Sequence, residues 1–100
     1  PYGDVSAHAI SVVNARCYAP FRWTVDSLGW KGTSGGMTTA SVARRVLDAA
    51  RPGGIVLMHV GANPDDGSML DAAALTTVIS GLRLAGYQLV TLEVLLSRAP

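Results

Sequence analysis

Ile55-Val56-Leu57-Met58-His59-Val60 is the most strand-like run in this chain, and its reading decides the fold. The run is apolar and rich in β-branched residues, and it follows Arg51-Pro52-Gly53-Gly54. It therefore reads as a strand entered through a turn and buried on both faces. Strands of that kind belong to parallel sheets, whose ligands meet the carboxyl ends of the strands. His59 stands at such an end, where the strand hands over to the loop Gly61-Ala62-Asn63-Pro64-Asp65-Asp66-Gly67. It is the leading candidate for a chemical role. The alternative is a histidine that merely caps the strand through a backbone hydrogen bond.

On both sides of this strand the chain alternates helix and strand. Residues 5 to 17 carry Val5, Ile10, Val13 and Cys17 at positions compatible with one helical face. Phe21-Arg22-Trp23-Thr24-Val25-Asp26 follows Pro20 and is dense in aromatic and β-branched residues, which predicts a strand ending near Asp26. Residues 31 to 37 are loop by composition. Thr38 or Thr39 caps a helix reaching about Ala50, with Val42, Val46 and Leu47 inward and Arg44 and Arg45 outward. Another helix, from about Leu70 to Ala85, buries Leu75, Val78, Ile79 and Leu82 and ends at Gly86. Tyr87 to Leu92 reads as a short strand, and Glu93 to Arg98 as a final helical turn or two. Crossovers of this length suit parallel pairing, so the fold class is α/β, a parallel-strand unit of about three β/α repeats.

Composition adds a constraint. A hydrophobic content of 49% with 15% charge is high for 100 residues standing alone. Together with open strand edges, it predicts burial against a missing part of the same fold or against a second copy. A net charge of +1, from 8 basic and 7 acidic residues, leaves no electrostatic footprint for nucleic acid or an anionic membrane. No apolar run reaches the roughly eighteen residues of a membrane span, and no secretion signal is visible. Cys17 is the single cysteine, which leaves no partner for an intrachain disulfide and no cysteine-rich metal site. The start at Pro1-Tyr2-Gly3-Asp4, without methionine, is that expected of a trimmed product or a fragment. His8 has no second histidine at ligand spacing and reads as a solvated or partly packed side chain. Asp65-Asp66-Gly67 lacks the alternating acidic ligands of a calcium loop and reads as a turn. The glycines between Gly32 and Gly36 lack the order of a phosphate-cradling loop.

Four blocks carry a family likeness. They are Pro1-Tyr2-Gly3; Trp23-Thr24-Val25-Asp26-Ser27-Leu28-Gly29-Trp30-Lys31; Arg51-Pro52-Gly53-Gly54-Ile55-Val56-Leu57-Met58-His59; and Leu82-Arg83-Leu84-Ala85-Gly86-Tyr87-Gln88-Leu89-Val90-Thr91-Leu92. In this order they resemble the C-terminal half of the polysaccharide deacetylases, the NodB-homology domain of carbohydrate esterase family 4. The resemblance implies that residues 1–100 are the C-terminal part of a distorted (β/α) barrel. It also implies hydrolytic removal of N-acetyl groups from N-acetylglucosamine polymers such as peptidoglycan or chitin. In the complete domain a divalent metal, often zinc, is held by an aspartate and two histidines beside a second aspartate acting as base. All of these would precede Pro1. No cofactor is therefore expected in this chain itself, and the chain alone is expected to be inactive. The partners implied are the acetylated polysaccharide and either the missing N-terminal half or another copy, in a secreted or cell-envelope setting.

The resemblance also implies residue roles. His59 falls on the histidine of the Leu-x-His motif, formed here by Leu57, Met58 and His59 and assigned as the general acid. Leu57 would line the pocket for the acetyl methyl, or serve as a plain core leucine. Tyr2 falls on the tyrosine of an Arg-x-Pro-Tyr motif whose backbone N–H helps hold the oxyanion. Trp30 falls on the tryptophan of an Asp-Trp motif and would wall the substrate groove, or anchor the core. The chain departs from the pattern at Gly29, where many members carry an aspartate that tunes the histidine. Asp26 could take over that orienting role, or cap a helix or loop instead. A reading of a different class is a non-catalytic α/β unit that binds carbohydrate or self-assembles, motivated by the apolar composition and the unpaired edges.

Overall fold

The strand, helix, strand unit predicted around His59 is the frame of the computed structural model, which describes residues 2–98. Along the chain run α1 (Ala7–Ala15), β1 (Val25–Asp26), a 3-10 turn (Gly29–Lys31), α2 (Thr39–Asp48), β2 (Val56–Leu57), α3 (Leu70–Leu84) and α4 (Leu92–Arg98). β1 and β2 pair in parallel, Val25 opposite Val56 and Asp26 opposite Leu57, with α2 as the crossover. Flanking residues lengthen the ladder. The Thr24 N–H donates to the Ile55 carbonyl at 2.8 Å, and the Ser27 N–H donates to the Leu57 carbonyl at 3.0 Å. The Thr24 hydroxyl both donates to the Ile55 carbonyl and accepts from the Ile55 N–H.

The core lies between α2 and α3. Val42, Ala43 and Val46 of α2 are buried against Leu70, Ala74, Val78 and Leu82 of α3. The Thr38 hydroxyl accepts from the Ser41 N–H while the Ser41 hydroxyl accepts from the Thr38 N–H, a reciprocal cap that fixes where α2 begins. Gly81 lets the helices approach: a Cβ there would lie 2.7 Å from the Leu47 side chain. Val56 and Met58 of the β2 region pack on this core from above.

Several expectations are corrected. Regular pairing takes two residues from each strand rather than all of 21–26 and 55–60. The run from Ile55 to His59 is half-buried, not covered on both faces, because helices pack on one side of it only among the described residues. Tyr87 to Leu92 is not a strand, so two β strands are paired, not three. Instead the Tyr87 N–H closes the end of α3 on the Leu82 carbonyl, and Thr91 caps α4 by accepting from the Val94 N–H. In α3 Leu75 is 45% exposed, whereas Asp71 and Ala74 point inward. The first helix stops at Ala15 because Cys17 takes a left-handed conformation and the Tyr18 N–H bonds back to the Val13 carbonyl. No residue of α1 is buried.

Candidate active site

Strand geometry decides what faces His59. Side chains alternate along a strand, and residues paired across a parallel ladder share a face. Leu57 is opposite Asp26, and His59 lies two residues beyond Leu57. The three side chains therefore emerge together on the face away from the helices. There the His59 Nε2 lies 2.7 Å from the Asp26 Oδ1, both groups partly buried. Asp26 also accepts from the Leu28 N–H at 2.9 Å, so one carboxylate oxygen meets both the imidazole and the backbone of its own turn. The Arg45 Nε donates to the Asp26 carbonyl at 2.7 Å and brings a positive charge near. Burial pushes the Asp26 carboxyl up. The His59 and Leu28 hydrogen bonds and the nearby charges of His59 and Arg45 outweigh it, and the net effect holds the carboxyl below its ordinary value.

The opposite face supplies a second carboxylate. Ser27, the next residue along from Asp26, points toward the helices and is fully buried. Its hydroxyl lies 2.8 and 3.0 Å from the two oxygens of Asp71, in the first turn of α3. Asp71 is itself only 5% exposed, and its Oδ2 also accepts the backbone N–H of His59. The Gly29 N–H donates to the Ser27 hydroxyl at 3.2 Å and completes the cluster. A negative charge at the N-terminus of α3 also suits the helix dipole. Each charge-assisted hydrogen bond of this sort contributes about 1.5–3 kcal/mol, which is how so buried a carboxylate is tolerated.

Position 29 explains itself in this setting. A Cβ at Gly29 would lie 1.9 Å from the Asp71 Oδ1 and 2.6 Å from its Cγ. Any side chain there would occupy the volume that the Asp71 carboxylate fills. Reading the sequence alone missed Asp71. Its one signal is a carboxylate set on the otherwise apolar stripe of Leu70, Ala74, Val78 and Leu82.

The loops that follow β1 and β2 are tied to each other. The Asn63 amide donates to the Trp30 carbonyl at 2.9 Å, and the Asp66 carboxylate accepts from the Ser34 N–H at 2.7 Å. Hydrogen bonds from Ser68 and Ser34 hold the Asp66 carboxyl well below its usual range. Asp65 and Asp66 thus serve a turn, as expected, with both N–H groups donating to the Asn63 Oδ1. Trp30 is 54% exposed, with the Lys31 ammonium 5.9 Å from its ring centroid, so it is not a core anchor. Leu57 is partly buried beside Asp26. Tyr2 is fully exposed and makes no hydrogen bond to this cluster. His8 is exposed on α1.

Comparison with known proteins gives these residues a context. No protein-family model matches the chain. A chitooligosaccharide deacetylase of Azorhizobium caulinodans is 34% identical across 89% of this chain and 44% of its own length. A peptidoglycan-N-acetylglucosamine deacetylase of Listeria monocytogenes is 33% identical across 93% of this chain and 17% of its own. Among solved structures, a T48 deacetylase with substrate superposes with a TM-score of 0.77 at 31% identity, covering 100% of this chain and 44% of that one. The chain thus spans less than half the length of these relatives.

Proposed function

Since this chain is, over most of its length, a homologue of the polysaccharide deacetylases, we propose that it carries the proton-donating side of an N-acetylglucosamine deacetylase site. The observation that carries the reading is the His59–Asp26 pair at 2.7 Å at the carboxyl end of β2. The reaction is hydrolysis of an acetamide. Water adds to the acetyl carbonyl, the tetrahedral intermediate collapses, and the C–N bond breaks to give acetate and the free amine. The leaving nitrogen must gain a proton, which is the work of a general acid. Asp26 engages Nε2, so Nδ1 is the ring nitrogen left to deliver that proton, and the carboxylate steadies the imidazolium that carries it. Leu57 and Trp30 would flank the acetyl group and the sugar ring, and the Tyr2 N–H would meet the oxyanion in the complete site.

The complete domain would be a distorted (β/α) barrel using a divalent metal to polarise the carbonyl. Among the described residues no three His, Cys, Asp or Glu side chains are grouped to hold a metal. The described residues do not by themselves fit that ion. The substrate class follows the relatives' names, acetylated glucosamine oligomers or peptidoglycan glycan, and a cell-envelope setting follows from that substrate. No helix in the described residues is long and apolar enough to cross a membrane. The test is acetate release by the protein that carries this chain, offered chitooligosaccharides and peptidoglycan fragments in parallel. Release from either supports the reading, and release from neither overturns it.

A further inference from the structure

We infer that Asp71 is a positioning residue for His59, and that Gly29 is the space kept open for its carboxylate. The inference rests on the reading of His59 as proton donor and deepens it. A proton donor must present its ring at a fixed angle, and two constraints do this. Asp26 fixes the imidazole from the open face. That alone leaves the backbone free to move where β2 ends, since regular pairing stops at Leu57. Asp71 supplies the missing constraint from the helix side. Its Oδ2 accepts the His59 N–H, and Ser27, paired through its own N–H to Leu57, holds the carboxylate in place. The grip therefore links α3, β1 and the residue after β2. Gly29 belongs to it by exclusion, because a Cβ there would lie 1.9 Å from the Asp71 Oδ1. Asp71 does not reach the reacting atoms in this scheme; it acts through the main chain of His59.

The test reads His59 directly by NMR in the full chain, through its amide exchange and its ring nitrogen shifts, with the Val42 and Val46 amides of α2 as the control. In Asp71→Ala the His59 amide is expected to lose at least tenfold more protection than Val42 and Val46 lose through the general fall in stability, and the ring signals to shift, while the chemical shifts of the α2 amides stay unchanged. Asp71→Asn keeps an acceptor oxygen and is expected to restore most of that protection. If Asp71→Ala does not fold, Gly29→Ala serves instead: it displaces the carboxylate without removing it and is expected to shift the same His59 signals. Unchanged His59 amide and ring signals in either folded variant would overturn the inference. These readouts do not require turnover, so a failure of the deacetylase reading would appear only in acetate release and leave them intact.

Discussion

At the scale of single residues, the site turns on His59 and two carboxylates, Asp26 on the open face of the strands and Asp71 on the helix side. A histidine at the end of an apolar run, and an aspartate at the end of the preceding one, are visible as types at positions. Their meeting at 2.7 Å follows from the parallel register that the alternation of elements implies. Asp71 needs the third dimension, because its meaning lies in the fit against Gly29, 42 positions away in the chain. Two predictions belong here. Asp71→Ala leaves the His59 N–H and the Ser27 hydroxyl without their partner, and should lower stability by about 3 kcal/mol in denaturant titration. The second concerns pH. The Asp26 carboxyl is held below its ordinary value in the folded state, so the unfolded chain takes up its proton first as pH falls. The stability it contributes is complete above about pH 4 and is lost as pH drops through the folded value. Denaturation midpoints followed from neutral to acid pH should show this loss, with a smaller fall in Asp26→Asn.

At the scale of elements, helix positions are legible in the sequence and sheet extent is not. Helix α2 is marked by its own cap and by a clear division between Val42, Val46 and the two arginines, so local chemistry suffices. The inward stripe of α3 was harder, because that helix is apolar on most sides and its periodicity admits two solutions. Packing chooses Ala74 over Leu75, since a small residue lets α2 come close. Ala74→Leu should therefore cost about 1–3 kcal/mol through overpacking. Leu75→Ala, on the exposed side, should stay within about 1 kcal/mol, both measured by chemical denaturation. Residues 87–92 have strand-like composition, but a strand exists only with a ladder partner. The pairing of β1 and β2 does not extend to them. Composition reports suitability for a sheet, not membership of one.

At the scale of the whole molecule, the described residues form a slab of 39 × 35 × 16 Å with a radius of gyration of 15.3 Å. A closed domain of this length has about 13 Å, so the chain is spread rather than rounded. Phe21, Val90, Leu92 and Leu96 are among the large apolar residues left exposed. The high hydrophobic content read from the sequence is accounted for in this way: much of it is on the surface. Sedimentation of the chain alone should show concentration-dependent association, and a clean monomer with cooperative unfolding would argue against it. The central claim concerns chemistry, and one measurement meets it directly: acetate release from acetylated glucosamine oligomers by the protein that carries this chain, with and without His59→Gln. Loss of a general acid predicts a fall in kcat of about a hundredfold or more at unchanged fold. Turnover equal to that of the unaltered protein would contradict the assignment of His59 as the proton donor.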